Sequence, residues 1–109
     1  ILEFNSSLNP SYKNIVVKIK DSWEFSQEQT VHLLNSEGIL ARAYYNPPLH
    51  LKNLKYVFKC GNLKNTEMLH DKFLLMPSGY QVSCEDIKIM FNFLKFINEN
   101  TYIIKNFLK

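Results

Sequence analysis

Hydrophobic and polar residues alternate first between Tyr12 and Lys20, where Val17 and Ile19 are interleaved with Lys18 and Lys20 after the apolar pair Ile15 and Val16. A period of two sends successive side chains to opposite faces of an extended backbone, so this stretch predicts a half-buried strand. The period then lengthens. Ser26 followed three residues later by Gln29 is a capping-box pattern, in which each end satisfies the other's free backbone donor at a helix start. Val31, Leu33 and Leu34 supply the apolar stripe of that helix, and Gly38 is placed to close it in the left-handed conformation. Ile39 to Tyr45 reads as a second strand that delivers a loop at its end. Leu54 to Lys59 is a short apolar segment whose pattern selects neither helix nor strand. Asn65 or Thr66 is expected to cap a short helix running to Phe73, with Glu67 in its first turn, where the helix dipole favours an acid. Phe73 to Met76 is an apolar run stopped by Pro77, Ser78 and Gly79, the pattern of a short buried strand and a turn. Ser83 caps the clearest helix, with Glu85 and Asp86 in its first turn and Ile87, Met90, Phe91, Leu94 and Ile97 at helical spacing. Ile89, Phe93 and Phe96 widen that stripe enough for two packing neighbours, and the apolar, basic segment from Thr101 continues as a helix in need of a partner surface.

This order of elements predicts an α+β fold, a small and mostly antiparallel sheet with helices packed on one face. The 109 residues, 46% hydrophobic and 14% aromatic, suffice for one domain with a core. Twelve lysines and one arginine against ten acids give a net charge of +3, dispersed along the chain. Phosphate and base readout lean on arginine and on clustered charge, so no nucleic-acid partner is expected. Cys60 and Cys84 have neither CxxC spacing nor a disulfide-dense setting, which points away from zinc and secretion and toward a reducing cytoplasm. No apolar run approaches the roughly 20 residues of a membrane span, so no membrane partner is expected either. The chain opens at Ile1 on a polar, extended stretch without an initiator methionine, as a piece of a longer protein would.

Candidate chemistry concentrates in the run ARAYYNPPLH, Ala41 to His50. Arg42 offers a rigid fork of donors for a carboxylate or phosphate, Tyr44 and Tyr45 offer flat faces with polar tips, and His50 can titrate near neutral pH. Pro47 and Pro48 restrict their own backbone and that of Asn46, stiffening the turn that presents these groups. Strand alternation would send Tyr44 and Tyr45 to opposite faces, making one of them structural. Elsewhere the polar residues suggest little. The three glycines lie at element ends and make no phosphate loop; His32 and His70 read as partly exposed helix residues; Asp71 beside His70 and Glu85 beside Asp86 read as solvated charges, since adjacent helix residues do not face each other. Cys84 sits at a helix start without a partner base. On the residues alone, a stand-alone α+β ligand-binding or interaction module without catalysis is the alternative to an enzyme.

The stretch EGILARAYYNPPLH, followed by NTEMLHDKFLLMPSGYQVSCEDI, resembles the C-terminal small domain of the DegT/DnrJ/StrS sugar aminotransferases. The features carrying the resemblance are Gly38 and Ile39 at a helix end, Tyr44, Tyr45, Pro48 and His50 in the turn, Thr66 and Glu67 at a short helix, Met76 and Pro77, and Ser83 to Asp86. They follow one continuous order from Tyr12 to Ile97. The resemblance implies a homodimeric pyridoxal-phosphate enzyme of the aspartate-aminotransferase-like fold (fold type I), which moves an amino group from glutamate onto a nucleotide-linked keto sugar. It divides the chain into a linker from a missing N-terminal large domain (1–11), the C-terminal small domain (12–99) and a tail (100–109). It also implies that the cofactor is bound by the missing large domain and that this fragment alone holds none and is inactive. None of the twelve lysines sits in a family-like cofactor motif, and Met76 replaces the more usual leucine before Pro77. The implied task of this segment is to close a loop over the active site, with His50 and Tyr45 or Tyr44 against substrate and Arg42 either on an anionic group or in a structural pair.

Overall fold

The central strand of the sheet is β3 (Phe73–Met76), flanked by β1 (Ile15–Lys18) and β2 (Arg42–Ala43), and both pairings are antiparallel. This computed structural model describes residues 7, 13–52, 55 and 61–108. The register sets Val17 and Ala43 opposite Leu74, Ile15 opposite Met76, and Val16 and Arg42 opposite Leu75. Residues directly opposite share a face. Ile15, Val17, Ala43, Leu74 and Met76 therefore line one side of the sheet, and Val16, Lys18, Arg42, Phe73 and Leu75 the other.

The first face carries the core. Leu34, Ile39, Ala41 and Leu74 are buried together, with Ile19, Val31, Met76, Met90, Phe93 and Leu94 packed against them. These residues bring helices α1 (Gln27–Ser36) and α3 (Cys84–Glu99) onto that side, the α+β arrangement expected from the sequence. The capping box of α1 forms as its spacing predicts, with the Gln29 amide donating to Ser26 Oγ and the Ser26 amide to Gln29 Oε1. At its other end Gly38 adopts φ +75°. Its amide donates to the Asn35 carbonyl and that of Ile39 to Leu34, while Ile39 and Leu34 meet in the core, so turn and packing fix one another.

Several elements depart from the sequence pattern. The second strand is only Arg42–Ala43, because the Ala41 amide closes a three-residue turn onto the Ile39 carbonyl and Tyr45 turns out of the strand at φ +48°. Helix α2 (Lys64–Leu69) starts ahead of the expected Asn65 or Thr66 cap; Asn62 Oδ1 instead accepts from the Lys64 amide. It ends before Phe73 because the Lys72 amide returns to the Leu69 carbonyl and the Lys72 carbonyl accepts from Ile19, drawing the chain into the sheet. Leu54 to Lys59 lies, apart from Lys55, outside the described residues, as does Tyr12.

The stripe of α3 is narrower than expected. Met90, Phe93, Leu94 and the fully buried Ile97 face inward, whereas Ile87, Ile89, Phe91 and Phe96 are more than half exposed. After Glu99 the helix breaks, since Asn100 Nδ2 donates to the Phe96 carbonyl and Thr101 Oγ1 to those of Ile97 and Asn98. The tail resumes as α4 (Thr101–Phe107), the helix expected there, and Lys105 Nζ reaches Glu24 Oε2 at 2.6 Å.

Candidate functional site

The second face of the sheet floors an open cleft of about 1010 Å³. Phe73 and Leu75 of β3 form its apolar base, Arg42 and Tyr44 come from β2 and its end, and Leu69 of α2 with the following His70 also borders it. All four residues singled out from the sequence, Arg42, Tyr44, Tyr45 and His50, line this cleft.

Their placements differ. Tyr44 stays near the sheet, its amide donating to the Phe73 carbonyl at 3.1 Å. Regular alternation would have sent Tyr45 to the far face, but its left-handed backbone returns it to the same cleft. The two rings meet edge to face with centroids 4.5 Å apart, and Tyr45 remains 76% exposed. Both tyrosines thus line one wall, which corrects the expectation that they part to opposite faces. Arg42 is exposed, and its guanidinium makes no ion pair with a described residue. His50 lies in a single 3₁₀ turn, Leu49–Leu51, with its side chain only 7% exposed. Its Nε2 stands 3.5 Å from Glu67 Oε1 without hydrogen-bond geometry, and finds no hydrogen-bond partner among the described residues.

A polar relay that the sequence pattern did not suggest holds the loop in place. Gln27, at the start of α1 and only 4% exposed, donates through Nε2 to the carbonyls of Phe73 at 2.6 Å and His70 at 3.2 Å. Asn46 Nδ2 donates to Gln27 Oε1 at 2.5 Å, and Asn46 Oδ1 lies 3.2 Å from His70 Nδ1. One helix start, the binding loop and the rim of the cleft are thereby tied together. His70 is partly exposed, as expected, but stands at the C-terminal cap of α2 rather than within the helix. No spacing rule announces such a relay, since its members are separated by 19, 24, 43 and 46 positions.

A smaller cleft of about 640 Å³ is bordered by Glu37, Arg42 and Asp86, so Arg42 lines both concave surfaces. The Asp86 carboxylate is engaged locally: hydrogen bonds from the Ser83 hydroxyl and then from the Ser83 amide hold it below its ordinary value of 3.8. Among the described residues no cluster of histidine, cysteine and acid side chains fits a metal ion, and no helix is long and apolar enough to cross a membrane. Cys84 is an exposed free thiol at the start of α3.

An apolar floor, paired aromatic rings, a guanidinium without an ion pair among the described residues, and an imidazole are thus gathered by one strand and its loop. Compared with protein-family models, the chain matches the DegT/DnrJ/EryC1/StrS aminotransferase family over residues 2–95. The chain belongs to this family. No curated protein and no solved structure matches it.

Aminotransferases of the DegT/DnrJ/EryC1/StrS family depend on pyridoxal phosphate, a cofactor that requires a lysine amine, an acid for its ring nitrogen and donors for its phosphate. The described residues do not assemble that set. Among the described residues, Lys52 is the lysine that lines the larger cleft and no aspartate or glutamate does, while Glu37 and Asp86 border the smaller cleft and no lysine does.

Proposed function

We propose that this chain is the C-terminal small domain of a pyridoxal-phosphate-dependent aminotransferase that transfers an amino group from glutamate to a nucleotide-linked keto sugar, and that its larger cleft is the substrate-side wall. Family membership supports the chemistry. The convergence of Arg42, Tyr44, Tyr45 and His50 on one cleft carries the assignment of the wall.

Each group has a task suited to such a substrate. The Arg42 guanidinium, unpaired with any described residue, suits a diphosphate or carboxylate oxygen. The edge-to-face tyrosines offer a ring face to a base or sugar and hydroxyls to its polar edge. His50, close to Glu67 and among the residues lining the cleft, suits a substrate contact through its ring. The cofactor supplies the electron sink when bound, and its lysine, acid and phosphate donors belong to a large domain outside this chain. In this reading residues 1–11 are the linker from that domain, 100–109 an apolar and basic tail, the working enzyme is a homodimer in the cytoplasm, and this chain alone is inactive.

The test is amino transfer by the complete enzyme from glutamate to a panel of nucleotide-linked keto sugars. Transfer to one or more members, weakened at least about tenfold in kcat/KM by His50→Ala or Tyr45→Phe, is the expected result. Unchanged amino transfer and sugar-nucleotide binding in both variants would remove the assignment of this wall.

A further inference from the structure

We propose that His70 is a specificity-determining contact of the same site, presenting its Nε2 lone pair to the cleft as an acceptor for a sugar hydroxyl. This rests on the reading of the larger cleft as the sugar-nucleotide site.

The relay fixes the histidine's proton by elimination. Backbone carbonyls only accept, so the Gln27 atom lying between those of His70 and Phe73 must be its NH₂ group. Gln27 then has only its oxygen left for Asn46, which requires the Asn46 NH₂ to point at it. The remaining Asn46 atom is an oxygen, 3.2 Å from His70 Nδ1, and an oxygen acceptor there requires Nδ1 to carry a hydrogen. A neutral imidazole protonated at Nδ1 holds a lone pair at Nε2. No amide in the chain of three can be turned over without setting two donors or two acceptors against each other.

The geometry gives that lone pair somewhere to act. His70 lines the cleft together with Arg42, Tyr44 and Tyr45, and none of its hydrogen bonds to described residues involves Nε2. The apolar floor of Phe73 and Leu75 favours a flat, partly apolar body, and an acceptor at its border favours a hydroxyl on that body's edge. A hydroxylated ring suits both. A site built to bond a hydroxyl discriminates against an analogue lacking it, because the acceptor is then left without a partner. The buried Gln27 makes the arrangement rigid, so the acceptor is set before the ligand arrives.

Two measurements on the complete enzyme test this. Selective ¹⁵N labelling of histidine, with the His70 signal identified by its loss in His70→Asn, is expected to show the neutral ring protonated at Nδ1, and Asn46→Ala is expected to release that preference. An Nε2-protonated ring in the unaltered protein would overturn the inference. In steady-state kinetics with a nucleotide-linked keto sugar and glutamate, His70→Asn keeps a donor toward Asn46 but deletes Nε2. It is expected to raise KM for the sugar nucleotide about tenfold with KM for glutamate unchanged, and His70→Gln, whose amide oxygen replaces Nε2, is expected to recover part of the loss. Transfer by His70→Asn equal to the unaltered enzyme's would overturn the role of His70 while leaving the cleft assignment standing. Failure of the unaltered enzyme to aminate any nucleotide-linked keto sugar would remove the functional reading and this inference with it.

Discussion

Gln27 ties together parts of the cleft without itself lining it. Its side chain joins α1 to the start of β3 and to Asn46, and it is buried with every polar atom used. Gln27→Ala would leave the His70 carbonyl and the Asn46 side-chain amide without this partner, while the Phe73 carbonyl keeps the Tyr44 amide, a loss of about 1–3 kcal/mol by urea denaturation. Asp86 shows how a fully exposed group can still matter. Its carboxyl lies below the ordinary value of 3.8, so its contribution to stability is complete above pH 3.8 and disappears as pH falls through the lower folded value. Helical circular dichroism during acid titration should report this as early loosening of α3, and Asp86→Ala should abolish that component. The sequence displayed the Ser83 cap openly, because a cap is a pattern of near neighbours. It concealed the Gln27 relay, and the hydrogen bond between His70 and Asn46, because those contacts exist only after α1, the loop and α2 have been brought together.

At the scale of elements, local rules were reliable where the backbone is ordinary or where glycine stands at the unusual position. The end of α1 was readable from Gly38, and space is open around a Cβ built there, so Gly38→Ala meets only the penalty of φ +75°. That penalty is about 1–2 kcal/mol, measurable as a lowered denaturation midpoint with unchanged m-value. The length of β2 was not readable. Nothing in the residue types at Tyr45 signals φ +48°, and a tyrosine in that region is rare enough that alternation was the better expectation. This one dihedral decides whether two tyrosines line one cleft or part to opposite faces. Leu74, opposite both Val17 and Ala43 at the centre of the sheet, anchors the other side of the fold. Leu74→Ala should lower stability by about 2–5 kcal/mol and, through β3, loosen the cleft floor at Phe73 and Leu75.

Across the whole molecule the two faces of the sheet divide the labour. One face, with α1 and α3, holds the core; the other holds the cleft, within a family of aminotransferases. The α+β class was legible because alternating and helical periods succeed each other along the chain, and the loop was legible because it gathers the lone arginine, two tyrosines and a histidine within ten residues. The inward face of α3 was over-read, since hydrophobic spacing alone does not distinguish Met90 and Ile97, which are packed, from Phe91 and Ile87, which are exposed. The proposed division of work between this wall and a cofactor-bearing domain is tested most directly by following ¹⁵N from labelled glutamate into a nucleotide-linked keto sugar, comparing the complete enzyme with its Arg42→Ala variant. The account predicts transfer by the unaltered enzyme, with KM for the sugar nucleotide rising about tenfold or more in the variant and KM for glutamate unmoved. Label that never reaches a nucleotide-linked sugar, or an Arg42→Ala enzyme with unaltered sugar-nucleotide kinetics, would contradict it.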